Sequence, residues 1–121
     1  MTIKSFPYDL SVCKVSKLDP KILDDELYFV GKTDEELSLV CLSEHAPTNC
    51  TAREDGWRVF RIQGVLDFSL TGILAGVSKL LAEAGIGIFA ISTYNTDYFL
   101  VKAENYRKAL DHLRDNGYSI E

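Results

Sequence analysis

Apolar residues in the second half of the chain fall twice at helical spacing. Ile73, Leu74, Val77, Leu80, Leu81 and Ala84 share one stripe at intervals of three and four, which predicts a helix over 70–84. Ser69 or Thr71 can cap its start, and Gly85, tolerant of positive φ, stops it. Tyr106, Ala109, Leu110 and Leu113 mark a second helix over 105–116, with Glu104 in the acidic first turn and Asn116-Gly117 as the stop. Between the helices, 87–93 and 98–102 read as strands joined by the turn-forming tetrad Tyr94-Asn95-Thr96-Asp97, hence a hairpin.

A further strand over 57–63 precedes the first helix, and 118–120 can add a short last one. The order from Trp57 onward is therefore βαββαβ, the split ferredoxin-like arrangement, an α+β fold with two helices on one face of an antiparallel sheet. The run 86–91 is apolar at both parities, whereas a sheet with one wet face alternates. A second lobe or a second copy of the chain is expected to cover it.

The first half carries a fainter copy of the same pattern. Lys32-Thr33-Asp34 echoes Asn95-Thr96-Asp97 at an offset of 63, and 12–18 echoes 59–66 at an offset of about 47. The difference removes most of the first helix from the first lobe and leaves only residues 19–26, where Pro20 after Asp19 suits the opening of one or two helical turns. Residues 44–55 show no helical stripe either. The expected organisation is two ferredoxin-like lobes, 1–56 degenerate and 57–121 complete.

With 121 residues and 46% apolar content, the chain can build one compact core or two half-size lobes, but not two large domains. Thirteen Lys plus Arg against eighteen Asp plus Glu leave a formal charge of −5, which works against nucleic acid and anionic membranes as partners. The stacking-aromatic motif of RNA-binding sheets is missing, and Gly85-x-Gly87 is not followed by a helix as a dinucleotide loop requires. The acidic runs 24–26 and 34–36 read as solvated turns or a helix end, since no calcium-loop acceptor array surrounds them.

Residues 1–12 hold no apolar core of signal-peptide length, and no run reaches membrane-spanning length, so a cytoplasmic location is expected. Cys13, Cys41 and Cys50 are odd in number and irregularly spaced, which fits reduced thiols rather than a disulfide framework or zinc knuckle. Cys41, His45 and Cys50 lie close in sequence, yet Leu37, Leu39 and Cys41 share one strand parity, so Cys41 reads as a small core residue. No catalytic residue, metal ligand or cofactor site is assigned.

Chemistry is expected where the 57–63 strand hands over to the first helix. A helix start presents unpaired N–H groups at a positive dipole end, and Gly72 lets a ligand approach that backbone. The amides of Thr71, Gly72 and Ile73 suit a carboxylate, while Asp67 or Asp97 can pair with an ammonium or guanidinium group. Structural readings stand beside these: Gly72 also permits close packing of helix on sheet, Asp67 can be a turn or cap residue, and Asp97 can close its hairpin as Asp34 would in the first lobe.

Asp67-x-x-x-Thr71-Gly72-Ile73-Leu74 before the helix, Ala84-Gly85-Ile86-Gly87-Ile88 after it and the βαββαβ order resemble the ACT domain, a small-molecule-sensing module of amino-acid metabolism. The resemblance covers residues 57–120. The common form of that loop has Pro immediately before its Gly, where this chain has Thr71. Residues 91–101 further resemble the second hairpin of aspartokinase regulatory ACT domains, and more closely that of CASTOR-type arginine sensors and small bacterial tandem-ACT relatives.

The resemblance implies an amino acid bound where ACT units meet. Its position implies Asp67, Leu70, Thr71, Gly72 and Ile73 around the ligand's backbone groups, with Ile88, Ser92, Thr93 and Asp97 nearby. The function expected is that of a non-enzymatic regulatory protein, a homodimer through sheet edges, whose bound amino acid biases the packing of a protein partner or a second copy. The competing expectation is a self-association or scaffold protein that keeps the sheet without a ligand.

Overall fold

A computed structural model describes residues 1–66 and 72–121. These form strands β1 (Thr2–Ser5), β2 (Leu10–Val15), β3 (Tyr28–Lys32), β4 (Leu37–Leu42) and β5 (Cys50–Ile62), helix α1 (Ile73–Glu83), strands β6 (Phe89–Ser92) and β7 (Asp97–Lys102), helix α2 (Ala103–Asp115) and strand β8 (Ser119–Ile120). Short 3-10 turns at Pro20–Asp24 and Ser43–His45 complete the order. The fold is α+β with mixed strand pairing, and no helix among the described residues is long and apolar enough to cross a membrane.

The chain divides into two compact units, Tyr8–Trp57 and Met1–Pro7 together with Arg58–Glu121. Sequence patterning places the division one residue earlier and assigns the first seven residues to the other side. They belong with the C-terminal unit because β1 pairs antiparallel with β5, Ile3 opposite Ile62, and parallel with β8, Ile3 opposite Ile120. The final strand thus pairs with β1, and Ile3 is fully buried in the C-terminal core.

That core joins Phe60, Ile62, Phe99 and Val101 of the sheet to Val77 and Leu81 of α1 and Tyr106, Ala109, Leu110 and Leu113 of α2. The buried face of α2 is the one its spacing predicts. The buried Tyr106 hydroxyl donates to the Val59 carbonyl at 2.7 Å and accepts from the Phe6 N–H at 3.2 Å, so its hydrogen-bonding capacity is met within the protein. Helix α1 begins at Ile73 rather than 70, and Leu74 stays 39% exposed instead of joining the core. The cap candidates Ser69 and Thr71 lie outside the described residues.

The apolar run 86–91 is not one strand. Ile86 is buried and Ile88 packs against the core before β6 begins at Phe89, after which half-buried and exposed residues alternate. Its double parity therefore arises from a connection bracketed by Gly85 and Gly87 joined to a short alternating strand.

The N-terminal unit has strand order β3-β4-β2-β5, antiparallel throughout. Its core is Cys13, Val15, Ile22, Leu39 and Cys41. Asp19 accepts from the Lys21 N–H at 3.0 Å and Pro20 opens the turn that follows, as expected from their order. The five-residue 3-10 turn at Pro20–Asp24 joins β2 to β3, where α1 of the C-terminal unit has eleven residues.

The two hairpins correspond at an offset of 60, not 63. The Thr33 N–H bonds the Glu36 carbonyl, and the Thr93 N–H bonds the Thr96 carbonyl. Each turn leads into a strand in which three successive residues are buried, Leu39 to Cys41 and Phe99 to Val101. Asp34 consequently matches Tyr94, and Asp97 matches Leu37; Asp97 is the first residue of β7, not a turn residue. The tripeptide echo misaligns the turns because strand burial, rather than turn composition, sets register.

Burial pushes the Cys13 thiol up to about 12 and raises that of Cys41 as well. Neither is a thiolate near neutrality, and Cys50 donates to the Pro47 carbonyl at 3.0 Å. A thiol reagent at pH 8 is expected to modify Cys50 quickly in the folded protein, and Cys13 and Cys41 only after denaturation. Rapid reaction of all three in the folded protein would contradict this core. Since the folded Cys13 value is raised, the unfolded chain loses that proton first, so stability should fall as pH rises from about 9 towards 12.

Candidate ligand site at the start of helix α1

Two hydrogen bonds tie the end of β5 and the chain just after it to the β6–β7 turn. The Leu66 N–H donates to the Asn95 carbonyl, and the buried Thr96 hydroxyl donates to the Ile62 carbonyl, each at 2.7 Å. The Thr93 hydroxyl donates to the Thr96 carbonyl at 2.9 Å, closing the turn from its other side. A cavity of about 500 Å³ lies between this fixed turn and the start of α1, lined by Leu66, Gly72, Ile73, Leu74, Ala75, Ser92, Thr93, Tyr94, Asn95, Thr96 and Asp97.

Gly72 is the helix N-cap at φ +81°, and no side chain among the described residues caps the helix. The first intrahelical bond runs from the Gly76 N–H to the Gly72 carbonyl at 2.8 Å. The amides of Gly72, Ile73, Leu74 and Ala75 therefore have no intrahelical acceptor, and all four residues line the cavity. A Cβ at Gly72 would meet no atom of the described residues within 4 Å, whereas the left-handed backbone favours glycine.

On the opposite wall Ser92 and Asp97 face each other across the β6–β7 pair, and the Ser92 hydroxyl donates to the Asp97 carboxylate at 2.6 Å. The matching pair in the N-terminal hairpin is Lys32 and Leu37. Asp97 is the one carboxylate among the described lining residues, and no basic side chain lines the cavity. The walls thus offer an array of N–H donors with a helix dipole on one side and a negative charge on the other.

Of the residues expected from sequence, Gly72, Ile73, Ser92, Thr93 and Asp97 line the cavity. Ile88 does not; it packs against the hydrophobic core. Asp67, Leu70 and Thr71 lie outside the described residues. Of the expected amide set 71–73, Gly72 and Ile73 lie at the cavity, and Leu74 and Ala75 join them there. Leu66, Leu74, Ala75, Tyr94, Asn95 and Thr96 were absent from the expected set. Leu74 was hidden by its fit to the apolar stripe, whereas the Thr93-x-x-Thr96 spacing carries a turn signal.

In the N-terminal unit Cys41 belongs to the core cluster and Cys50 packs against it. His45 Nδ1 sits 2.9 Å from the Asp25 carboxylate, and no cluster of three metal-binding side chains occurs among the described residues.

The ACT domain sequence pattern matches residues 52–115. Atu0741 from Agrobacterium tumefaciens is 32% identical, with a TM-score of 0.87 over 99% of this chain and 91% of that one. VC0802 from Vibrio cholerae, a protein of unknown function, is 23% identical, with a TM-score of 0.73 over 94% of this chain and 88% of that one. The aspartate kinase of Clostridium acetobutylicum, described as an allosteric enzyme, shares the fold at 12% identity with a TM-score of 0.67. That match covers 89% of this chain and 33% of the kinase. No curated protein matches the chain. No catalytic domain is evident within the 121 residues.

Proposed function

The chain belongs to the ACT-domain family, and from that premise we propose that it is a non-catalytic regulatory protein that holds a free amino acid at the start of α1. The observation that carries this reading is one cavity whose described lining combines four helix-start residues, with amides that lack an intrahelical acceptor and a side-chain cap among the described residues, and one carboxylate, Asp97. A zwitterion meets that arrangement with opposite charges at both ends, its carboxylate on the amides of 72–75 and its ammonium group towards Asp97. Each hydrogen bond to a charged group contributes about 1.5–3 kcal/mol, enough for roughly a tenfold to hundredfold change in affinity. A cavity of about 500 Å³ has the scale of a small-molecule site.

The chain is read as two ACT-like lobes, a complete C-terminal one and an N-terminal one with its helices reduced to 3-10 turns. The matched hairpins and the 3-10 turns standing in the helix positions support this reading. Ligand in the complete lobe alters how a second copy of the chain, or a protein partner, packs against it, in a reducing cytoplasm. The scaffold reading draws on a different observation: among the described residues β6 pairs only with β7, leaving an open sheet edge suited to self-association.

A thermal-shift screen of the free amino acids separates the two. At a hundred times its dissociation constant a true ligand stabilises the fold by about 2.7 kcal/mol. A shift with one amino acid or one chemical group of them is expected. No shift with any, at concentrations up to tens of millimolar, would favour the scaffold.

A further inference from the structure

A second cavity of about 420 Å³ lies in the C-terminal unit, and it shares no residue with the first. Arg58, Arg107 and Arg114 line it together with Asp111, Tyr106 and Ser5. Three guanidinium groups against one carboxylate leave this lining at +2, in a chain whose net charge is −5.

Among the described residues only Arg114 of the three arginines makes an internal ion pair. Arg58 Nη2 donates to the Phe6 carbonyl at 2.9 Å, and its guanidinium carbon lies 4.2 Å from the centroid of the Tyr106 ring. Its Nε is buried without a hydrogen-bond partner among the described residues. Arg114 Nη1 donates to Asp111 at 3.0 Å, which neutralises one of the three charges and leaves the rest of its fork available. Arg107, on the exposed side of α2, forms no ion pair among the described residues. The Ser5 hydroxyl is committed to the Glu121 main-chain oxygen, and the Tyr106 hydroxyl to the Val59 carbonyl.

Planar guanidinium forks match the oxygens of a phosphate, and a half-buried guanidinium without a counter-charge gains most when an anion supplies one. We propose that the Arg58–Arg107–Arg114 cavity binds a small phosphorylated molecule as its phosphomonoester dianion. The +2 lining matches two negative charges, whereas a free amino acid, neutral overall, does not meet it. The site is independent of the amino-acid reading, and loss of either leaves the other standing.

The test is calorimetric titration of the full chain with glycerol phosphate at pH 8, with dimethyl phosphate as the singly charged comparison at equal ionic strength. Saturable one-to-one binding of the monoester is expected, about tenfold or more tighter than the diester. Arg107→Ala and Arg114→Ala should each weaken it by about tenfold to a hundredfold. Both residues sit on the outer part of the cavity and leave the melting temperature near that of the parent. Arg107→Lys, which retains charge but not the fork, should fall between. Arg58 is left intact because its ring contact helps hold Tyr106. Equal binding of monoester and diester, undiminished binding by the arginine variants, or heats reproduced by sodium chloride alone would overturn the proposal.

Discussion

Gly72→Val is expected to lower amino-acid affinity by about a hundredfold or more while the protein remains folded. At φ +81° a β-branched residue is strained by roughly 1–3 kcal/mol, although its Cβ would meet no atom of the described residues within 4 Å. The chain then has two options. It keeps the left-handed backbone and places an isopropyl group among the amides of 72–75, or it relaxes to negative φ and turns the leading amides away. Either outcome disrupts the donor array on the side of the cavity that α1 supplies. Isothermal titration with the amino acid identified by thermal shift reads the loss, and circular dichroism checks that helix content is retained. Undiminished affinity in a folded variant would show that the ligand sits elsewhere.

Phe60→Ala should cost about 3–5 kcal/mol of stability, a large part of the roughly 5–15 kcal/mol available to a domain of this kind. Phe60 is fully buried, stacked on Phe99 at 5.3 Å and tilted against Tyr106 at 6.4 Å. Truncation opens a cavity beneath both helices, and the rigid sheet closes over it only in part. The damage lies two residues from Ile62, whose carbonyl anchors Thr96, so the ligand cavity should loosen as well. Urea unfolding measures the loss directly. Tyr94→Ala, at a hairpin position 80% exposed, is the contrast, with a change within about 0.5 kcal/mol. Equal midpoints for the two variants would refute this account of the core.

The contrast between these positions also marks what patterning reveals. Tyr106, Ala109, Leu110 and Leu113 announce a buried helix face because residues three and four apart share a side whatever the rest of the molecule does. Leu74 fits its own stripe equally well yet lies at the cavity and stays 39% exposed, while Ile73, Val77, Leu80, Leu81 and Ala84 pack on the core. Ile88 packs against the core and is not among the described residues that line the cavity, since spacing along the chain does not say towards which side a residue before a strand turns.

The amino-acid sequence by itself determined the two helices of the C-terminal unit, the hairpin between them, the Asp19-Pro20 turn and the small-residue start of α1, all consequences of forces acting within a few residues. Tertiary structure alone decided that β1 lies between β5 and β8, that the two hairpins correspond at an offset of 60, and that residues 66, 72–75 and 92–97 converge on one cavity. Those outcomes depend on pairings between segments distant in the chain. Each is selected by the apolar surface that one register buries and its neighbours leave in water.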